Sequence, residues 1–116
     1  MRILVIEDEV KLANAVKRAL ELQNYAVDAA YDGTSGLDLA IGEEFDLILL
    51  DVWMSGEDGR NVCRLLKSQQ QTKDIPIIMI SATSYIEEST REAGAEDFIP
   101  KPFQMNVLLD RVGQYI

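Results

Sequence analysis

Each of four apolar runs in this chain ends on residues able to do chemistry. Glu7 and Asp8 follow Ile3-Leu4-Val5-Ile6, Asp51 follows Phe45 to Leu50, Ser81 follows Ile75 to Ile80, and Lys101 follows Asp97-Phe98-Ile99-Pro100. If the runs are strands of one parallel sheet, three carboxylates, a hydroxyl and an ammonium meet on one rim, because ligands in such sheets bind at the carboxyl ends of the strands. Carboxylates crowded in that way repel one another and raise one another's pKa values unless a cation lies between them. A hard divalent ion resolves the conflict. Mg2+ (or Mn2+) takes oxygen ligands, needs only one or two protein carboxylates, and keeps waters that a phosphate oxygen displaces. Lys101 adds a point charge aimed at the same phosphate. One polar residue at the top of a strand is an ordinary terminator; it is the repetition at successive strand exits that points to phosphoryl chemistry.

Composition narrows the alternatives. The chain has no histidine, which removes imidazole bases, Ser-His-Asp triads and most zinc sites. Its single cysteine, Cys63, sits between Val62 and Leu65 in a helix-like stretch and reads as a buried structural thiol. A net charge of −9 repels a phosphodiester backbone, so no direct nucleic-acid binding is expected. No segment approaches the roughly 18 apolar residues of a membrane span, and the first residues lead into a strand rather than a signal peptide. The expectation is a cytoplasmic protein with no membrane contact. With 116 residues, 47% of them apolar and 27% charged, residues 1–116 are expected to form a single domain around one core.

The elements that must position these side chains alternate. Ile3–Ile6 is too short for a buried helix and rich in β-branched residues, as a central strand is. Leu12, Val16 and Leu20 recur at four-residue spacing, which predicts an amphipathic helix from Val10 that stops at Asn24. Ala26–Ala30 is a weaker strand and is expected at a sheet edge. Asp32-Gly33 turns the chain into a short helix, Thr34 to Glu44, holding Leu37, Leu39 and Ile41. Phe45 to Leu50 is the next buried strand, and a glycine-bearing loop, Met54 to Gly59, follows it. A helix is expected over Arg60 to Gln70 with Val62, Leu65 and Leu66 inward, then a strand over Ile75 to Ile80. A short helix from Ile86 to Ala93, a strand at Asp97–Ile99, and a last helix lined by Val107, Leu108, Val112 and Ile116 complete the chain. Five alternations of strand and helix with connections of this length imply an α/β fold, a doubly wound parallel sheet with helices on both faces.

In order and spacing, ILVIEDE, DLILLDVWMSGEDG, IPIIMISA and EDFIPKPF resemble the signature segments of response-regulator receiver domains of two-component signalling. The resemblance runs from about Arg2 to the last helix. It implies a five-stranded sheet in the order 2-1-3-4-5, as in a chemotaxis protein of flavodoxin-like topology. It also implies that Asp51 is the phosphoacceptor. Asp8 would bind the metal directly, Glu7 mainly through a water, and the Trp53 carbonyl would complete the protein ligands. Lys101, ahead of a cis proline, would contact one phosphoryl oxygen and Ser81 would donate its hydroxyl to another. Trp53 and Thr83 flank the site at positions that in the family modulate how long the phosphoryl group lasts. Phe98 stands at the family's aromatic switch position and reads equally as plain core. The donor would be a phosphohistidine on a sensor histidine kinase or phosphotransfer protein. The listener would be a downstream effector, with the chain a monomer or a phosphorylation-dependent dimer. Autodephosphorylation would be slow.

Three residue patterns depart from the family. Ser55 stands where proline is usual, which is expected to loosen the loop after Asp51. Glu7 replaces the commoner aspartate. The segment from Ser81 to Lys101 is short by about two residues relative to receivers of DNA-binding regulators, so the fourth helix, part of the usual output surface, is expected to be stunted. The rival readings are a receiver acting only as an interaction module, a Mg-dependent aspartyl-phosphate phosphatase, and a flavodoxin-like carrier. Asp8-Glu9-Val10 lacks the Asp-x-Asp of such phosphatases, and Glu7-Asp8-Glu9 would repel a flavin phosphate.

Overall fold

Apolar runs without alternation demand cover on both faces, and the fold supplies it. The computed structural model describes residues 1–83 and 86–116. Strands β1 (Arg2–Ile6), β2 (Ala26–Ala30), β3 (Leu47–Asp51), β6 (Ile77–Ser81) and β7 (Asp97–Pro100) form one sheet in the order β2-β1-β3-β6-β7. Every pairing in it is parallel. Two further strands, β4 (Trp53–Met54) and β5 (Glu57–Asp58), pair antiparallel outside the sheet. The five parallel strands thus take the expected order, with β2 at an edge.

Successive side chains of a strand point to opposite faces, so each buried strand feeds two cores. Leu4, Ile6, Ile48, Leu50, Ile77 and Met79 pack on one face with Ala40 of α2 (Gly33–Gly42), Val62, Cys63 and Leu66 of α3 (Gly59–Ser68), and Ala93 just past α4 (Glu87–Glu92). Ile3, Val5, Leu47, Leu49, Ile78 and Ile80 pack on the other with Ala13, Val16 and Leu20 of α1 (Val10–Glu21) and Leu108 and Val112 of α5 (Met105–Tyr115). Burying a side chain of this size contributes about 1.5–3 kcal/mol. Two packed layers on a rigid sheet fix the strand exits to within small tolerances.

Several boundaries differ from the sequence reading, each for a local reason. Helix α1 ends at Glu21, and Asn24 enters the left-handed region at φ 70° after a turn, a conformation asparagine tolerates. Helix α2 ends at Gly42 rather than Glu44, and Ile41 is exposed. Strand β3 starts at Leu47 and runs through Asp51, while Phe45 is buried outside it. Strand β6 likewise starts at Ile77 and ends on Ser81 itself. Leu65 is 47% exposed, and Cys63 takes the inward place expected of it. Val107 is also exposed. Helix α4 has six residues, as short as expected. Met54 to Gly59 is a hairpin with a Ser55-Gly56 turn running into α3, not an open loop.

Gly59 permits that arrangement. Its amide donates to the Val52 carbonyl at 2.6 Å, and a methyl group there would lie 2.1 Å from the Asp51 carbonyl oxygen and 3.0 Å from Val52 Cα. Backbone cannot yield as a flexible side chain does. Gly59→Ala is therefore expected to destabilise the fold by about 1–3 kcal/mol, despite alanine's better helix propensity. A urea denaturation series checks this, and an unchanged midpoint would mean that the loop after Asp51 relaxes freely.

Candidate functional site

The pocket is assembled from three strand exits. Glu7 and Asp8 follow β1, Asp51 is the last residue of β3, and Lys101 follows β7. Glu7, Asp8 and Asp51 each offer a carboxylate oxygen, and these atoms all lie within 4.8 Å of one another. Lys101 Nζ donates to Glu7 Oε1 at 2.9 Å and lies 3.4 Å from Asp51 Oδ1. The Lys101-Pro102 peptide is cis. Ser81 ends β6, buried beside these exits, and its hydroxyl accepts from the Thr83 amide at 3.1 Å. Side chains up to 94 positions apart in sequence are thus gathered because the sheet places their strands side by side.

The electrostatics follow from burial. Asp51 is 4% exposed, and its carboxyl is pushed up to about 7, first by burial and then by repulsion from Glu7, with Lys101 offsetting only part of this. Asp8 is held below the usual carboxylate range, chiefly by the Ser55 amide, which donates to its Oδ2 at 2.8 Å. Burial pulls the Lys101 ammonium down, but its bond to Glu7 and the charge of Asp51 leave it above the ordinary lysine value. Three carboxylates facing one ammonium leave an excess of negative charge, and all the donors are hard oxygens. This set fits a cation of the Mg2+ or Mn2+ kind.

Around the pocket, the loop after Asp51 is tied down at several points. Trp53 is 46% exposed; its indole N–H donates to Thr83 Oγ1 at 3.2 Å, and the Arg60 guanidinium lies 4.9 Å from its ring centre. Arg60 also donates to Asp58 and, at 2.9 Å, to Ser89 Oγ in α4. Glu57 Oε1 accepts from the Gly33 amide at the start of α2. Sequence reasoning misses these ties. Asp58 two residues before Arg60 is the available signal for that pair, whereas nothing in residue types announces a backbone amide bound to Asp8.

Phe98 is 4% exposed within the core beside α3, a placement compatible with both of its readings. The Cys63 thiol is pushed up to about 11, chiefly by burial, and donates to the Ala93 carbonyl at 3.5 Å, as a structural cysteine would. Among the described residues, no helix is long and apolar enough to cross a membrane.

Known proteins share both sequence and fold. A family model described as the response regulator receiver domain matches residues 3–113. Response regulator ArlR of Staphylococcus aureus is 42% identical over 113 residues, which cover 96% of this chain and 50% of that protein. The chain thus spans about half the length of such relatives. The chemotaxis protein CheY4 of Vibrio cholerae superposes with a TM-score of 0.93 at 26% identity, covering 99% of this chain and 98% of that one. The receiver domain of sensor histidine kinase PA1611 from Pseudomonas aeruginosa, solved with a magnesium ion coordinated in its active-site cleft, gives 0.90 at 26% identity, covering 98% and 95%. A sheet that gathers acidic residues and a lysine at its carboxyl rim and a family match over nearly its whole length together make this chain a member of the response regulator receiver domain family of two-component systems.

Proposed function

We propose that residues 1–116 act as a single receiver domain in which Asp51 accepts a phosphoryl group from a phosphohistidine on a sensor histidine kinase or phosphotransfer protein. The observation that carries this reading is the convergence of Glu7, Asp8, Asp51 and Lys101 in one pocket. Glu7, Asp8, Asp51 and the Trp53 carbonyl would hold one Mg2+ or Mn2+. Such an ion supplies charge neutralisation for a transferring phosphoryl group.

The chain's own residues do the rest. An Asp51 carboxylate oxygen attacks phosphorus while the P–N bond breaks, and the electron pair returns to the donor imidazole. Lys101 offers an ammonium to a phosphoryl oxygen, and its present partner Glu7 gains a free oxygen as it turns. Ser81, whose oxygen accepts from the Thr83 amide, keeps its own hydrogen to donate to another phosphoryl oxygen, and turning to reach it draws Thr83 along. The new group carries close to two negative charges and three acceptors, which is enough to bias α4, β7 and α5 toward a second arrangement read by an effector. With no histidine in the chain to act as general base, hydrolysis of the acyl phosphate is slow. An open, mainly apolar depression of about 340 Å³ beside the pocket, lined by Leu12, Ala82, Lys101, Pro102, Phe103 and Met105, suits the approach of the donor protein.

The test is incorporation of label from radioactive acetyl phosphate, with magnesium and with a chelator. Magnesium is expected to raise incorporation by at least about a hundredfold, the scale on which charge-stabilising groups act. The label should resist acid and be released by alkali or hydroxylamine, as an acyl phosphate is. Incorporation that ignores the metal, label that survives hydroxylamine, or continuous turnover of small phosphomonoesters would overturn the reading.

A further inference from the structure

The Ser55-Gly56 turn sits between Met54 and Glu57, which pair across it. Gly56 has φ 71°, whereas Ser55 keeps a negative φ. That combination is a type II pattern, in which proline is at home at the first central position. Met54 is already extended, as a residue before proline must be. The backbone would therefore accept proline at position 55, and the loss that matters would be the Ser55 N–H. That N–H is in use. It donates to Asp8 Oδ2 at 2.8 Å, tying the hairpin to a carboxylate 47 positions away on the other wall of the pocket. The hairpin cannot easily swing off, because Glu57 is bound to the Gly33 amide on its far side.

We propose that the Ser55 amide is a positioning group for the cation site, fixing the Asp8 carboxylate so that its oxygens face those of Glu7 and Asp51 before any ion arrives. This inference rests on the pocket being a cation site. A charge-assisted bond from a backbone amide engages one carboxylate oxygen and leaves the other available. Ligand carboxylates held in this way bind metal more tightly than free ones, and losing the holding partner typically weakens binding by about 10- to 100-fold. Serine matters at this position chiefly because it is not proline; its hydroxyl contributes less to Asp8 than its amide does.

Trp53 is the chain's only tryptophan and stands two residues beyond Asp51, so its fluorescence reports titrations with Mg2+, and the paramagnetic signal of free Mn2+ gives an independent readout. Ser55→Pro is expected to weaken both ions by about tenfold, while Ser55→Ala, which keeps the amide, stays within about threefold of wild type. Equal affinity of Ser55→Pro and wild type would overturn the inference and leave the cation site intact. Equal weakening by Ser55→Ala would move the role to the hydroxyl and overturn it as well. A wild-type chain that binds neither ion would instead bring down the cation site itself. If Ser55→Pro fails to fold by circular dichroism, replacing the amide with a backbone ester at position 55 removes the same N–H without a ring. That variant must then show the tenfold loss, or the inference is wrong.

Discussion

Asp51→Asn should reduce phosphoryl incorporation from acetyl phosphate to background, a loss of at least about a hundredfold, which corresponds to some 2.7 kcal/mol or more of transition-state stabilisation. Asparagine fills the same space at the end of β3 and preserves the pairing of position 51 with Ile80, so the fold should survive. The amide, however, is no nucleophile toward phosphorus, and it halves the negative charge that Glu7 and Asp51 together present to Lys101. Urea midpoints and far-UV circular dichroism on the same preparation separate lost chemistry from lost structure. Incorporation at the wild-type level would mean that another carboxylate of the pocket, Asp8 or Glu7, is the acceptor, and Asp51 would have to be reassigned.

In a chelator, stability should fall as the pH rises from about 4 to 7. The Asp51 carboxyl sits at about 7 in the folded chain against an ordinary 3.8, so between those values the folded state keeps a proton that the unfolded state gives up. Where the folded state binds more protons, stability decreases with rising pH. Integrated over the window, the loss is up to about 4 kcal/mol at pH 8 relative to pH 4, because a tenfold difference in proton affinity between the two states is worth about 1.4 kcal/mol. Asp8 and Asp58 are held low, so their contribution has the opposite sign and is lost only as the pH drops below about 4. Asp51→Asn removes the downward slope, making the variant more stable than wild type at pH 8 and nearly equal to it at pH 4. Urea unfolding of both chains at pH 4.5, 6 and 8 checks this, and parallel curves would show that Asp51 is not strained by burial.

How much of this is legible from residues alone depends on which property carries the information. Ile3–Ile6, Leu47–Leu50 and Ile77–Ile80 announce themselves because strands covered on both faces need uninterrupted apolar side chains, and the abrupt polar residue after each marks the rim. The short pairing of Trp53–Met54 with Glu57–Asp58 is invisible, since two-residue strands have no periodicity to read. Leu65 misleads because its side chain is as apolar as that of Leu66, and only the phase of α3 against the sheet turns Cys63 inward instead. Ser55, in place of proline, suggests a looser loop. The structure adds a tie that proline could not make, a hairpin bonded to Asp8 through a main-chain hydrogen that residue types do not display.

Among the described residues the sheet is open, so β2 and β7 each leave one row of peptide groups without a strand partner. Such rows invite another copy to add on, the first step toward fibrils. Here both rims carry obstacles. Asp28 sits mid-strand in β2, held by Arg2 at 2.6 Å, and an added strand would have to dehydrate that pair. The four-residue β7 begins with Asp97, bound to Arg111 at 3.0 Å, and ends in Pro100, which has no hydrogen to donate. The same residues that frame the sheet thereby keep a crowded solution of these molecules from knitting together edge to edge.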